Sequence, residues 1–88
     1  MRIEFRSSFA RDLQKLRDKA LRDRVKETIS QVERAQSLEQ IDHLRKLQGA
    51  DRYYRIRLGD YRIGIIVEED KVVFVRILPR KDIYRYFP

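Results

Sequence analysis

The stretch from Arg52 to Tyr84, RYYRIRLGDYRIGIIVEEDKVVFVRILPRKDIY, decides the fold of this chain. Its residues alternate in character with a period of two, which is the period that β-strands impose, and three successive strands are predicted. One parity is aliphatic and predicts a buried face: Ile56, Leu58, Ile63, Ile65, Val67, Val73, Val75 and Ile77. The other parity predicts a cationic, partly apolar face: Arg55, Arg57, Arg62, Arg76, Arg80, Tyr53, Gly64, Ile66, Val72, Phe74 and Leu78.

Two turns connect these predicted strands and determine which residues lie opposite one another. The Gly-Asp pair at residues 59–60 has glycine at the first central position, the pattern of a two-residue type II′ hairpin, so Arg57 faces Arg62. A two-residue turn at residues 69–70 with regular pairing would set core residues against outward-facing arginines. The second hairpin is therefore predicted to contain either an odd loop, such as residues 69–71, or a β-bulge.

Composition limits the class of protein. The chain has 88 residues and a net charge of +7, which predicts one small domain over residues 1–88 and a polyanion or an acidic protein as its partner. It has no cysteine, which suits the cytoplasm and leaves no disulfide or thiolate metal site. No apolar run approaches the roughly 20 residues of a membrane span, so no membrane association is expected.

The N-terminal half supplies one strand and two helices. Residues 2–6 alternate like a short strand, and Ser7 or Ser8 is predicted to cap the helix that follows. Apolar residues recur at helical spacing over residues 9–36, with a break predicted near residues 18–20. The predicted fold class is α+β: the N-terminal strand and a three-stranded antiparallel meander form one small sheet, and an antiparallel helical hairpin covers one of its faces.

A connector over residues 37–51 enters the sheet, with a helical turn predicted at 38–41 and Leu44 and Leu47 packed under the sheet. His43 is the only histidine, and without further ligands nearby in sequence we assign it to surface or connector packing. The carboxylates sit at turns and form no cluster of the kind a two-metal nuclease uses, so we expect no metal and no cofactor. Any phosphodiester cleavage is then predicted to use the substrate's own 2′-hydroxyl, with arginines stabilising the transition state.

Three sequence segments, LQGADRYYRIR, GDYR and RKDIYR, resemble those of the RelE/ParE superfamily of toxin-antitoxin toxins, on its RelE side. The resemblance covers nearly the whole chain as strand, helical hairpin and meander. It implies a toxin that inhibits translation by cutting mRNA on the ribosome, and a co-expressed antitoxin that neutralises it in a heteromeric complex.

The resemblance also implies the positions of an active site. The family's basic pair on the first meander strand falls on Arg55 and Arg57, and the arginine of its Gly-Tyr-Arg motif falls on Arg62. The arginine after the last strand falls on Arg80, and the C-terminal tyrosine falls on Tyr84.

The group that moves protons is left open by the sequence. Many relatives have histidine just before the last arginine, where this chain has Pro79. Arginine is a poor general base because it does not readily lose its proton, so Lys81 and Tyr84 are the candidates for proton transfer. Ile83 and Phe87 are expected to pack. Ile66, Val72, Phe74 and Leu78 are predicted to form an apolar groove that is covered either by a segment of the antitoxin or by the C-terminal tail.

Two other functions fit the same residues. A ParE-like toxin would inhibit DNA gyrase by binding it, although a binding poison does not need the set of Arg62, Arg80 and Tyr84. A module without effective catalysis would bind only RNA or an antitoxin through its arginines.

Overall fold

A computed structural model describes residues 1–49 and 51–88. Within these ranges the chain forms five strands and three α-helices: β1 (Arg2–Phe5), α1 (Ser7–Gln14), α2 (Lys19–Arg34), β2 (Leu44–Lys46), β3 (Tyr53–Leu58), β4 (Tyr61–Glu68), β5 (Lys71–Pro79) and α3 (Arg80–Tyr86). The sheet order is β1-β5-β4-β3-β2, with β1 parallel to β5 and the other neighbours antiparallel. The predicted N-terminal strand, helical hairpin and meander are all present.

The helical hairpin covers one face of the sheet. Asp18 caps α2, because its side chain accepts a hydrogen bond from the Leu21 N–H at 3.2 Å, which confirms a break just before residue 19. The predicted serine cap of α1 is wrong: Arg6 occupies the cap position, and the Ser8 hydroxyl instead donates to the Val75 carbonyl at 2.6 Å. The core under the helices includes Phe9, Leu16, Leu21, Val25 and Val32 from the N-terminal half and Ile56, Leu58, Ile63, Ile65 and Ile77 from the sheet.

A β-bulge in β5 changes which residues face the helices. Glu68 pairs with Lys71, so the turn has two residues, and the pairing shifts between Gly64 and Ile65. The bulge is confirmed and the odd loop is wrong. The extra residue is Val75, because Phe74 and Arg76 on either side of it pair with successive residues of β4.

The predicted faces of β5 are consequently wrong over residues 72–75. Before the bulge, Val72 and Phe74 belong to the helix-side core and are fully buried. Val73 and Val75 turn to the opposite face, where Val75 packs in a second apolar cluster. One added residue inverts the alternation because strand side chains have a period of two.

The opposite face of the sheet is covered by α3, which the sequence did not predict as a helix. Ile83 and Phe87 are buried there with Leu47, and this confirms that both are packing residues. Phe87 lies directly on Gly64, where an added Cβ would come within 2.6 Å of its ring. Glycine at this position therefore allows α3 to approach the sheet closely.

The predicted antitoxin groove is also wrong, because its apolar residues are mostly buried within the protein. Val72 and Phe74 are 0% exposed, in the helix-side core, and Ile66 is 6% exposed. Leu78 packs against the cluster under α3, in agreement with the alternative that the C-terminal tail covers this residue.

The connector contributes a strand that the sequence did not predict. Its helical turn is confirmed as a 3₁₀ helix at Leu38–Gln40. β2 then pairs with β3 and adds a fifth strand, with Leu44 packed against the helix-side core and Leu47 buried on the opposite face. Residue 50 of the predicted connector lies outside the described residues.

Candidate functional site

Arg62 is the buried centre of the arginine-rich face. Its residue exposure is 6%, and its Nη1 donates to the Gly59 carbonyl at 2.8 Å and to the Tyr61 carbonyl at 2.9 Å. Its Nε is buried and has no hydrogen-bond partner among the residues that the structure describes. The β3–β4 turn thus fixes the guanidinium in place while leaving part of its donor capacity unused.

Like charges surround this buried guanidinium. Burial lowers the pKa of Arg62, and the positive charges of three neighbours lower it further, in decreasing order Arg55, Arg80 and Arg57. Tyr84 acts in the opposite direction. In the part of the chain that the structure describes, none of these four arginines forms an ion pair with a carboxylate. The arrangement concentrates positive potential and favours binding of an anion.

β3, β4 and α3 bring these side chains together. Arg57 lies directly opposite Arg62 in the antiparallel pairing, as the two-residue turn predicted. The Arg55 guanidinium lies 5.7 Å from the centre of the Tyr84 ring, within the range of a cation–π contact. Tyr84 itself is 61% exposed, so one aromatic surface beside the arginines is open to a ligand.

The remaining two predicted site residues differ in their placement. Arg80 is the first residue of α3, and its backbone N–H donates to the Asp60 carbonyl at 2.8 Å, which ties the start of α3 to the β3–β4 turn. Its charge acts on Arg62. Lys81 follows on the exposed surface of α3 and lines none of the clefts described below.

His43 lies at this site, which the sequence interpretation missed. A cleft of about 290 Å³ is lined by His43, Leu44, Arg45, Arg55, Arg57 and Arg62. The His43 Nδ1 lies 3.2 Å from the Arg57 Nη2, and the Arg57 backbone N–H donates to the His43 carbonyl at 3.1 Å. The imidazole is exposed, as expected, but it is placed among the arginines by β2. The pairing of Leu44 with Ile56 brings it there, and a strand of only three residues has too little alternation to be predicted from the sequence.

A second depression continues from this cleft. It has a volume of about 590 Å³ and shares Arg45 and Arg55 with the first cleft. Tyr84 and Phe87 also line it. The two depressions therefore combine guanidinium groups, which suit phosphates, with aromatic rings, which suit bases.

Arg76 was predicted on the same cationic face but is neutralised by a carboxylate. Its Nε and Nη2 donate to Asp12 at 2.7 and 3.1 Å, and the Ile77 backbone N–H donates to the same carboxylate at 3.0 Å. The hydrogen bond to Asp12 raises the pKa of Arg76. This arginine is therefore not part of the unpaired cluster.

In residues 1–49 and 51–88, no group of three or more His, Cys, Asp or Glu side chains is placed to hold a metal ion. No helix in the same ranges has the length and apolar character needed to cross a membrane.

Comparison with known proteins identifies similar chains. The profile of the family described as ParE toxin of type II toxin-antitoxin system, parDE, matches residues 3–84. Toxin RelE3 of Methanocaldococcus jannaschii is 40% identical over 89 residues, covering 100% of both chains.

Solved structures agree with this assignment. The chain matches the RelB-RelE antitoxin-toxin complex from Methanococcus jannaschii with a TM-score of 0.82 and 40% identity, over 97% of this chain and 99% of that one. It matches the archaeal RelE-RelB complex from Pyrococcus horikoshii with a TM-score of 0.73 and 28% identity, over 90% and 93% of the two chains. The predicted α+β fold of the RelE kind is confirmed.

Proposed function

The chain belongs to the ParE toxin family of type II toxin-antitoxin systems, and from this premise we propose that it is a ribosome-dependent mRNA endoribonuclease of the RelE kind. The observation that carries the proposal is the buried Arg62 among three further arginines, all without a carboxylate partner in residues 1–49 and 51–88. A pentacoordinate phosphorane carries more negative charge than the phosphodiester it forms from. Fixed guanidinium groups therefore stabilise the transition state more than the substrate.

The proposed reaction uses the substrate's own nucleophile. The 2′-hydroxyl attacks the adjacent phosphate, its O2′–P bond forms, and the P–O5′ bond breaks. The products are a 2′,3′-cyclic phosphate and a 5′-hydroxyl, and no metal-bound water is required. We assign Arg62 and Arg80 to the scissile phosphate, because the former is buried and the latter adds its charge from the start of α3.

The other site residues are assigned to substrate placement. Arg55 and Arg57 line the cleft from β3 and contact the RNA backbone. Tyr84 stacks on a nucleotide base, because its ring is exposed. The Arg55 guanidinium beside the ring can bind the phosphate of the same nucleotide. Lys81 stays a predicted proton-transfer group, although its exposed position outside the cleft favours it less than the sequence suggested.

An antitoxin is the proposed partner outside the ribosome. The similar archaeal structures are complexes of RelE with RelB. The net charge of +7 favours an acidic antitoxin, and the unpaired arginines offer it a positively charged surface. We propose that toxin and antitoxin form a heteromeric complex in the cytoplasm, where ribosomes and mRNA are also present.

Cleavage of a site-specifically modified mRNA tests the proposed chemistry. Programmed ribosomes would be incubated with the protein and one of two mRNAs, which differ only by a single 2′-deoxy nucleotide at the cut site. We expect the unmodified mRNA to be cut, with a 2′,3′-cyclic phosphate at the new end, and the deoxy mRNA to remain intact.

Two results would contradict this proposal. Equal cleavage of both mRNAs would exclude attack by the 2′-hydroxyl. Absence of cleavage together with inhibition of DNA gyrase would instead establish a ParE-like activity. For variants that remove a positive charge from the cleft, Arg17→Ala serves as the matched control. It removes one exposed positive charge from the segment between α1 and α2 without altering the cleft.

A further inference from the structure

We propose that His43 is the general base of this site and removes the proton from the attacking 2′-hydroxyl. The inference rests on the proposed endoribonuclease function and identifies the group that its arginines cannot provide. Arginine remains protonated in proteins, whereas imidazole changes charge near neutral pH. Among the side chains lining the cleft with Arg62, that of His43 is the one with a nitrogen lone pair that can accept a proton.

The sheet places His43 beside the arginines. β2 pairs with β3 so that Leu44 lies opposite Ile56, and His43, one residue earlier, comes beside Arg57. The backbone hydrogen bond from Arg57 to His43 fixes this position at 3.1 Å. The imidazole therefore lies on the same cleft as Arg62 because of strand pairing.

The backbone of His43 is itself specialised. Its φ angle is 63°, in the left-handed region that few residues other than glycine adopt. The residue leads directly into β2, so this conformation turns the chain into the strand at the edge of the cleft. Asparagine also tolerates this region, which provides a substitution that keeps the local backbone.

The contact with Arg57 indicates which nitrogen of the neutral imidazole carries the proton. A guanidinium only donates hydrogen bonds, so Nδ1, at 3.2 Å from Arg57 Nη2, is the accepting nitrogen and the proton of the neutral ring lies on Nε2. Nδ1 thus holds a lone pair that faces the cleft-lining guanidinium. When Arg57 turns to a substrate phosphate, this lone pair becomes available.

The proposed step balances in protons and bonds. The 2′-hydroxyl proton passes to His43 Nδ1 as the O2′–P bond forms and the P–O5′ bond breaks. The departing 5′-oxygen takes a proton from water, and the imidazolium then returns its proton to solvent. Proton transfer by a positioned side chain typically contributes about 10²- to 10⁴-fold in rate.

Charged groups from several elements surround the imidazole. Arg55 and Arg57 of β3, Arg62 of β4 and Arg45 of β2 line its cleft. His43 also lines a depression of about 570 Å³ together with residues of α2. The further charged groups that line this depression are Lys26, Glu27, Arg34 and Asp42. The surroundings of the imidazole are therefore mixed in charge but mainly positive.

His43→Asn is the decisive variant. Its side chain accepts the same hydrogen bond from Arg57 and suits the left-handed backbone, but it does not take up a proton. We expect single-turnover cleavage on programmed ribosomes to fall by about 10²-fold or more. Binding to the ribosome should remain unchanged.

Chemical rescue provides a second readout. His43→Gly also permits the backbone angle and leaves space for a free base. Added imidazole should restore part of its cleavage and have no effect on His43→Asn, whose side chain fills the space.

The outcomes separate this inference from the function on which it rests. If the wild type cuts mRNA and His43→Asn cuts it equally well, His43 only positions Arg57 and the inference is wrong while the proposed function stands. If the wild type cuts no mRNA on ribosomes, the proposed function fails and the inference fails with it. A loss of rate in His43→Gly that imidazole does not restore would also argue against a base.

Discussion

Arg62 and Arg76 lie on neighbouring strands of one sheet, and their surroundings are opposite in charge. Arg62 is 6% exposed, donates side-chain hydrogen bonds to two carbonyl oxygens and has three other arginines close by. Arg76 lies beside the Asp12 carboxylate at 2.7 Å. The pKa of the first guanidinium is lowered and that of the second is raised.

The difference indicates that Arg62 is available to bind an anionic ligand, whereas Arg76 stabilises the folded protein. Asp12 accepts hydrogen bonds from the Arg76 side chain and from the Ile77 backbone N–H. Because β1 pairs with β5 only up to Phe74, Asp12 supplies an acceptor to β5 beyond the end of β1. Arg62 receives no such compensation from the described parts of the chain. A buried cation among like charges disfavours the free protein and favours the complex with an anion.

The largest expected effect is on cleavage by Arg62→Ala. Removing one preorganised donor from a developing oxyanion typically lowers the rate by about 10²- to 10³-fold, and the loss here should lie in that range. Single-turnover cleavage on ribosomes measures it, with Arg76→Met as the paired variant. The contrast between the two arginines fails if both variants lose the same activity while both remain folded.

The next effect is on stability, and it concerns the other arginine. Asp12→Ala leaves Arg76 without its partner and the Ile77 N–H without an acceptor. The expected loss in the free energy of unfolding is about 3 kcal/mol, at the lower end for a broken buried pair because a quarter of the Arg76 side chain is exposed. Urea unfolding measures it.

Asp12→Asn is the matched control for this measurement. Its amide oxygen still accepts from the Ile77 backbone, so its loss should be smaller than that of Asp12→Ala. A loss below about 1 kcal/mol for Asp12→Ala would place the pair among surface ion pairs and remove its structural role.

The smallest expected effect is the response of the free protein to sulfate. Sulfate should bind the Arg62 cluster and stabilise the fold, by about 1.4 kcal/mol when its concentration is ten times its Kd. Thermal unfolding at constant ionic strength measures the increase. Sulfate also stabilises proteins nonspecifically, so the comparison is with Arg62→Ala and Arg17→Ala. The increase should shrink in the first variant and persist in the second; equal increases would contradict a specific anion site.

Much of the fold could be predicted because its signals are local. Alternation along β3 and β4 predicted their buried face, and the Gly-Asp turn predicted the Arg57–Arg62 pairing that the structure contains. Helical spacing predicted α1 and α2. In these segments the residues that determine the structure are close in sequence.

The misses concern features that depend on distant contacts. β2 has only three residues and exists because β3 pairs with it, so the sequence around His43 contained little strand signal. α3 packs its apolar residues on a face that looked cationic, and the close approach of Phe87 to Gly64 explains why that face can be covered. In the sequence, Asp12 likewise has no feature that distinguishes it from other polar residues of an amphipathic helix. Its role depends on β5, whose Ile77 N–H donates to it.

The bulge at Val75 also determines which mutations β5 can accept. The strand consists of two segments in opposite phase: Val72 and Phe74 face the helices before the extra residue, and Ile77 faces them after it. Deleting one residue at the bulge would restore regular pairing but rotate one segment, exposing core side chains or turning Arg76 inward. A deletion here should therefore be tolerated far less than substitutions that keep an apolar residue at the same position. The number of residues in β5 is therefore constrained more strictly than the choice of apolar side chain at the bulge.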